Sequence, residues 1–426
     1  MRSKEKLSII TLGCKKNLVD SERLLFKLKN HYDFTEEALI ADVVLINTCG
    51  FINDAKIENI DIISQFCKLK EEKQIHTLIV FGCLVQVISD DIKNKFPEID
   101  YLFGTNSIDD IANVLLPENN NHNIDIFNRE FLTKPPTSYL KIAEGCNHRC
   151  SFCSIPFIRG NQVSIKMEDL INEANIIRSL GYKELVIIAQ DTSNYGIDIY
   201  GKKMLPELLN KLADIDFEWI RLMYTYPTAF PEEALNVINE RDNICKYIDI
   251  PIQHISDKIL KSMKRGINKV DTIKLIEKIK NIIPNVAIRS TFIVGYPNET
   301  DDEFNELLDF IKNYELDRVG AFTYSPQRFT SSYELTDNVP TELKLQRYEE
   351  LMLQQQKISL KKNKQFYGKN IKVLIDGEKD NYFIGRTEHD APEIDNEVLI
   401  EKNKRLEIGN FYQLRIKNYN EYQLFA

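Results

Sequence analysis

The chain has no run of 18 or more apolar residues, so nothing in it reads as a membrane-spanning helix. The N-terminus, Met1-Arg-Ser-Lys-Glu-Lys6, leads into a strand pattern without the apolar core of a secretory signal, which points to a cytoplasmic protein. Positive charge is in short supply: 55 Lys and Arg stand against 64 Asp and Glu, a net of −9. Non-specific affinity for nucleic acid wants a basic surface, so direct nucleic-acid binding is not expected to dominate. A basic protein partner is compatible with this charge. In a reducing compartment, 8 cysteines favour metal or redox chemistry over disulfides. At 426 residues the chain has length for two or three domains with real cores.

Cys146, Cys150 and Cys153 form a CxxxCxxC triplet in Glu144-Gly-Cys-Asn-His-Arg-Cys-Ser-Phe-Cys-Ser154. A [4Fe–4S] cluster held wholly by protein takes four thiolates. No fourth cysteine lies near this triplet and its spacing is not the ferredoxin run, so one iron would stay open to an outside ligand. Upstream, Ser138-Tyr-Leu-Lys-Ile-Ala143 reads as a strand. The triplet therefore lies on the loop leaving a strand's C-terminal end, where α/β barrels hold their chemistry. A zinc site completed by His148, or three unrelated buried thiols, are the other readings. The βα context favours the cluster.

Before the triplet, Leu7–Leu12, Asp42–Asn47 and Thr77–Phe81 read as buried strands. Helical patterns over Ser21–Lys29, Asp54–Lys70 and Val85–Lys95 alternate with them. Such alternation predicts a doubly wound parallel sheet. Cys14, Cys49 and Cys83 each follow a strand closely and would converge at its C-terminal edge, where such folds bind ligands. That is consistent with a second cluster, again with one iron open. The alternative is three small buried hydrophobes, the role assigned to Cys67 and Cys245.

The triplet resembles the signature of the radical S-adenosylmethionine (SAM) enzymes. Thr11-Leu-Gly-Cys-Lys-Lys-Asn-Leu-Val-Asp-Ser-Glu22 and Asn47-Thr-Cys-Gly-Phe-Ile52 resemble the N-terminal domain of the methylthiotransferases within that superfamily. The resemblance implies two [4Fe–4S] clusters and SAM as cofactors. The cluster on Cys146, Cys150 and Cys153 would be the catalytic one, its open iron holding SAM. Cys14, Cys49 and Cys83 would be the ligands of the other, which supports sulfur insertion. The Lys-Asn-Leu-Val-Asp-Ser-Glu form resembles the branch acting on a ribosomal protein, whereas the tRNA branch usually carries Gln-Met-Asn. Lys15 stands where relatives commonly have proline.

After the triplet, strands read at Glu184–Ala189, Phe217–Met223, Tyr247–Ile250, Val286–Val294 and Arg318–Tyr324, making six with the first. An open (βα)6 partial barrel is predicted. Polar groups past the strand ends should face its cavity: Gln190 and Asp191, Tyr224 and Thr225, Gln253 and His254, and Arg289 with Thr291. By resemblance, Gln190 and Asp191 receive the SAM amino group, Gly295 lines its adenine and Phe152 covers it. The resemblance also implies Gln253 and Arg289 as SAM contacts. Ile187–Gly196, Tyr247–His254 and Lys141–Cys146 also resemble the ribosomal-protein branch. The chain departs from its relatives at Val163-Ser164-Ile165, usually Arg-Ser-Arg, at Asn298, usually glycine, and at Gln327-Arg-Phe-Thr330, usually more acidic.

Residues 118–137 read as a linker, Thr341 to about Lys364 as a charged helix with a solvated face, and five short alternating segments from Ile371 to Phe425 as a small OB-like barrel. The last resembles the TRAM module that ends the methylthiotransferases. Its acidic run Asp390–Glu397 suits docking of a basic protein. The predicted domains are thus 1–125, 132–362 and 364–426. The function implied is methylthiolation of the β-carbon of an aspartate in small-subunit ribosomal protein S twelve, with an electron donor as second partner. A tRNA-adenosine methylthiotransferase and a non-catalytic iron–sulfur carrier are the alternatives.

Overall fold

A computed structural model describes residues 4–50, 53–116, 128–228, 230–402 and 405–426. The chain divides into two compact units. One holds residues 1–134, 144–148 and 154–163, the other 135–143, 149–153 and 164–426.

The first unit is built on five parallel strands, β1 Lys6–Thr11, β2 Asp33–Phe34, β3 Val43–Thr48, β4 Thr77–Gly82 and β5 Tyr101–Phe103, in the order β2-β1-β3-β4-β5. Helices α1 Lys15–Leu28, α2 Asn53–Glu71, α3 Cys83–Lys95 and α4 Ile108–Leu115 flank it. Every residue of β3 is buried because both faces are covered. Val44 and Ile46 pack with Ile63, Phe66 and Leu84 on one face, while Val43 and Leu45 pack with Leu24, Leu25 and Ile111 on the other. Strand order reverses between β1 and β3, and it is at such a switch point that open α/β sheets hold ligands. The short β2 and β5 were not anticipated. Helix α1 begins at Lys15, not at the predicted Ser21. Ser21 is fully buried inside the helix, where its hydroxyl accepts from Thr11 Oγ1 at 2.7 Å. Phe51, Ile52 and the first half of the predicted linker, residues 118–127, lie outside the described residues.

In the second unit, parallel strands Thr137–Lys141, Glu184–Ile188 and Trp219–Leu222 form one sheet, and Tyr247–Asp249, Ala287–Val294 and Arg318–Thr323 another. Backbone bonds continue the pairing from one sheet to the next: Cys245 N donates to Ile220 O at 2.9 Å and Thr225 N to Asp249 O at 2.9 Å. Among the described residues the first and sixth strands are not paired, which leaves the ring open as predicted. Asn298, where relatives have glycine, adopts φ +66°, a left-handed conformation that asparagine tolerates.

The helix Thr341–Lys364 does more than present charge. Glu349 and Glu350 are exposed, but Lys344 and Arg347 are buried against Asp337 and Glu299. The C-terminal sheet has six strands, Asn370–Lys379, Tyr382–Arg386, Glu397–Glu401, Phe411–Arg415, Asn418–Tyr419 and Gln423–Phe425. It closes the floor of the barrel through buried charges. Glu184 takes Arg221 at 2.9 Å and Arg386 at 2.6 Å, and Arg318 meets Asp390 at 2.6 Å. Asp395 accepts from Tyr247 Oη at 2.6 Å. Half of the acidic run predicted to dock a basic partner is therefore spent inward. Asp390 and Asp395 neutralise arginines of the barrel, and Glu393 and Glu397 remain outside.

Candidate functional site

Three cysteines of the first unit, Cys14, Cys49 and Cys83, come together at the C-terminal edge of its sheet. Cys49 and Cys83 directly follow β3 and β4, and Cys14 stands three residues past β1 as the N-cap of α1. Their loops touch. A Cβ on Gly13, which has φ +85°, would lie 2.4 Å from Cys49 Cβ, and one on Gly50 would lie 2.9 Å from Cys83 O. Asn17 spans the remaining pair, its Oδ1 lying 3.9 Å from Cys14 Sγ and 4.0 Å from Cys83 Sγ. Its Nδ2 donates to Leu12 O and Thr48 O at 2.9 and 3.1 Å, tying the loops after β1 and β3.

The run Asn17–Glu22 thereby acquires a physical account. Asn17 and Ser21 pin the sheet edge, Asp20 holds Arg159 at 2.8 Å and Glu22 holds Arg129 at 2.9 Å. Arg159 is nearly fully buried. Its Nε donates to Cys83 Sγ at 3.3 Å, its Nη2 to Asn17 Oδ1 at 2.6 Å and its Nη1 to Asp20 and Glu144. Burial pushes the Cys83 thiol up to about 11, with the Arg159 charge opposing it. Cys67 and Cys245, pushed by burial to about 12, are the inert comparison: Cys67 packs into the core cluster around Ile63 and Phe66.

Of the CxxxCxxC triplet, Cys146 belongs to the first unit and Cys150 and Cys153 to the second. Cys146 N donates to Gly160 O at 3.1 Å. Cys150 Sγ lies 3.3 Å from Arg265 Nη1 and 3.3 Å from Tyr226 Oη. Ser151, next in line, bonds Ser262 O and Tyr296 Oη at 2.8 Å each and so fixes the loop. Phe152 packs against Ile259, Met263, Tyr296 and Tyr324. Among the described residues no three His, Cys, Asp or Glu converge as ligands of a single metal ion. A cubane asks for a wider arrangement, since each thiolate takes its own iron.

The expected SAM contacts divide. Gln253 stands at φ +77° with its buried Oε1 lacking a hydrogen-bond partner. A strained residue holding an unmet acceptor fits a ligand that brings a donor, such as an ammonium group. Gln190 sits half-buried just past its strand. Asp191 is turned into its own loop, accepting from Ser193 N at 2.8 Å and Asn194 Nδ2 at 2.7 Å. Arg289 is held by Asp249 at 3.0 Å and Asp395 at 3.5 Å in the floor network. The space beside Gly295 is filled by Lys344, whose Cγ is 2.2 Å from where a Cβ would be. Arg159, Arg265, Tyr226 and Asn17 were not singled out in the sequence. Asn17 lies in the run Thr11–Glu22, and Arg159 just precedes the departure at Val163–Ile165.

Comparison with known proteins adds to this geometry. The radical SAM superfamily model matches residues 140–311, an uncharacterized family designated UPF0004 matches 6–104, and the TRAM domain matches 368–426. The chain is 46% identical over 428 residues to the ribosomal protein uS12 methylthiotransferase RimO of Chloroherpeton thalassium, covering 99% of this chain and 98% of that protein. With the protein of the same name from Cytophaga hutchinsonii it shares 44% over 429 residues, covering 99% and 98%. Among solved structures, the radical SAM methyltransferase TsrM from Kitasatospora setae superposes with a TM-score of 0.59 at 11% identity, over 77% of each chain. The cobalamin-dependent enzyme OxsB gives 0.54 at 12% identity, over 82% of this chain and 56% of that one. At such identities these two speak for the fold alone. No helix among the described residues is long and apolar enough to cross a membrane.

Proposed function

The chain belongs to the radical SAM family of ribosomal protein uS12 methylthiotransferases, and from that premise we propose that it adds a methylthio group to the β-carbon of an aspartate in that protein. The observation that carries the reading is the pair of cysteine trios. The CxxxCxxC loop opens the barrel, and Cys14, Cys49 and Cys83 meet at a sheet edge that nothing in packing alone requires. The proposed domains are 1–125, 132–362 and 364–426.

Cys146, Cys150 and Cys153 would hold one [4Fe–4S] cluster and Cys14, Cys49 and Cys83 a second. When bound, the first with SAM supplies a radical able to abstract hydrogen from an unactivated carbon, and the second supplies a coordinated sulfur. The protein's own groups do the rest. Arg265 and Tyr226 steady Cys150, Arg159 and Asn17 steady the trio around Cys83, and Gln253 offers its acceptor to SAM, with Gln190, Asp191, Phe152 and Gly295 the further SAM contacts that the family resemblance implies. Arg289 serves the barrel floor in this reading. No side chain could remove an unactivated β-proton as a base, which is why the cofactor must carry the chemistry. An electron donor completes the system, and the substrate places the work in the cytoplasm.

The test is anaerobic reconstitution with iron and sulfide counts, followed by SAM cleavage and mass analysis with uS12 and, separately, tRNA. Two clusters with a methylthio gain on uS12 are expected. A gain on tRNA adenosine alone would transfer the chain to the other branch, and clusters without SAM cleavage would make it an iron–sulfur carrier.

A further inference from the structure

Each cysteine trio contains one sulfur bonded by a buried guanidinium. Arg159 Nε reaches Cys83 Sγ at 3.3 Å and Arg265 Nη1 reaches Cys150 Sγ at 3.3 Å. The two arginines are 5% and 4% exposed. Their charge balance differs. Arg159 is flanked by two carboxylates, Asp20 at 2.8 Å and Glu144 at 3.3 Å. Among the described residues, the partners of the Arg265 guanidinium are a thiol, the carbonyl of Pro251 and the face of Tyr226 at 4.2 Å, and none is a carboxylate. Its Nε is buried without a hydrogen-bond partner.

A buried cation with no counter-charge is expensive, and proteins normally neutralise it. The group left to balance Arg265 is whatever negative charge sits at Cys150. A thiolate-bound iron–sulfur cluster is anionic and grows more so on reduction, and hydrogen bonds to its sulfurs raise its potential. We propose that Arg265 and Arg159 are positioning residues that set the reduction potentials of the two clusters separately, Arg265 acting the more strongly because its charge is not already spent. This rests on the reading of both trios as cluster ligands.

The full-length chain carrying C14A isolates the cluster near Arg265, and the chain carrying C150A isolates the one near Arg159. Iron and sulfide counts come first and test the two-cluster reading by themselves. On proteins with unchanged counts, midpoints follow from spectroscopically monitored redox titration. R265Q should lower the midpoint of its cluster by at least tenfold in the reduction equilibrium, ~59 mV for one electron. R159Q should lower the midpoint of the other by less, and each lysine variant should recover part of the shift. An unmoved midpoint in R265Q, both clusters moving together, or a larger shift in R159Q would overturn the proposal while leaving the two-cluster reading intact. Should either glutamine variant fail to retain iron, the methionine variant, which fills the space without the charge, decides: a lowered midpoint supports the proposal and an unchanged one ends it.

Discussion

Arg386 Nη2 stands 2.6 Å from Glu184 Oε2, joining the end of a C-terminal strand to the start of the second barrel strand. Glu184 is fully buried and Arg386 nearly so. The C-terminal sheet is therefore part of the barrel's foundation. Removing one partner of such a pair strands the others without water. Arg386→Leu should cost ~3–5 kcal/mol of unfolding free energy, far above the value of an exposed pair. Denaturant unfolding of the intact chain measures it, and a loss no larger than that of a surface pair would show the floor to be solvated.

The same pair predicts a pH dependence. Burial alone would raise the carboxyl of Glu184, but Arg386 and Arg221 outweigh burial and hold it at about 2. A carboxyl held below its unfolded value adds stability above roughly pH 4.3 that disappears as pH falls toward the folded value. Glu184→Gln should be less stable than the parent at neutral pH, and the gap should close between about pH 4.5 and 2. A gap that stays constant across that range would remove Glu184 from the acid response.

The sequence showed the periodic parts of this molecule and missed what depends on tertiary pairing. Six barrel strands were legible because each is a short apolar run bounded by turn residues and set off by a helix. Asp390 and Asp395 looked like surface charge, since nothing local reveals that Arg318 and Arg289 await them more than seventy residues away. Arg159 and Arg265 were overlooked for the same reason. A sulfur partner 76 or 115 residues distant leaves no local pattern. Cysteine spacing after strands was enough to assemble the first trio because parallel topology brings those strand ends to one edge.

Gly13 tests how tightly that edge is built. Its φ of +85° and the 2.4 Å approach to Cys49 Cβ both exclude a side chain. Gly13→Ala should destabilise by more than ~1 kcal/mol and push the Cys14 and Cys49 loops apart. Anaerobically reconstituted G13A should hold the iron of one cluster, retain SAM cleavage and transfer no methylthio group. Full iron loading with unchanged turnover would mean that the loops tolerate separation and that the trio's geometry is not what binds.

The sharpest contrast lies between Cys14 and Cys67, thiols of the same unit with opposite surroundings. Cys14 caps α1 beside Asn17 and the other two cysteine loops, whereas Cys67 lies within α2 among apolar side chains. Burial and the neighbouring Glu98 carboxylate, which takes a hydrogen bond from the thiol, push Cys67 up to about 12 and keep it protonated, so it behaves as a small buried hydrophobe. Cys67→Ala should therefore leave the iron count and methylthio transfer unchanged. Cys14→Ala should lose the iron of one cluster and abolish transfer to uS12 while SAM cleavage continues, because the CxxxCxxC trio is untouched. Continued methylthiolation by anaerobic C14A protein would remove the sulfur-donor role from the sheet edge, whatever its cysteines bind.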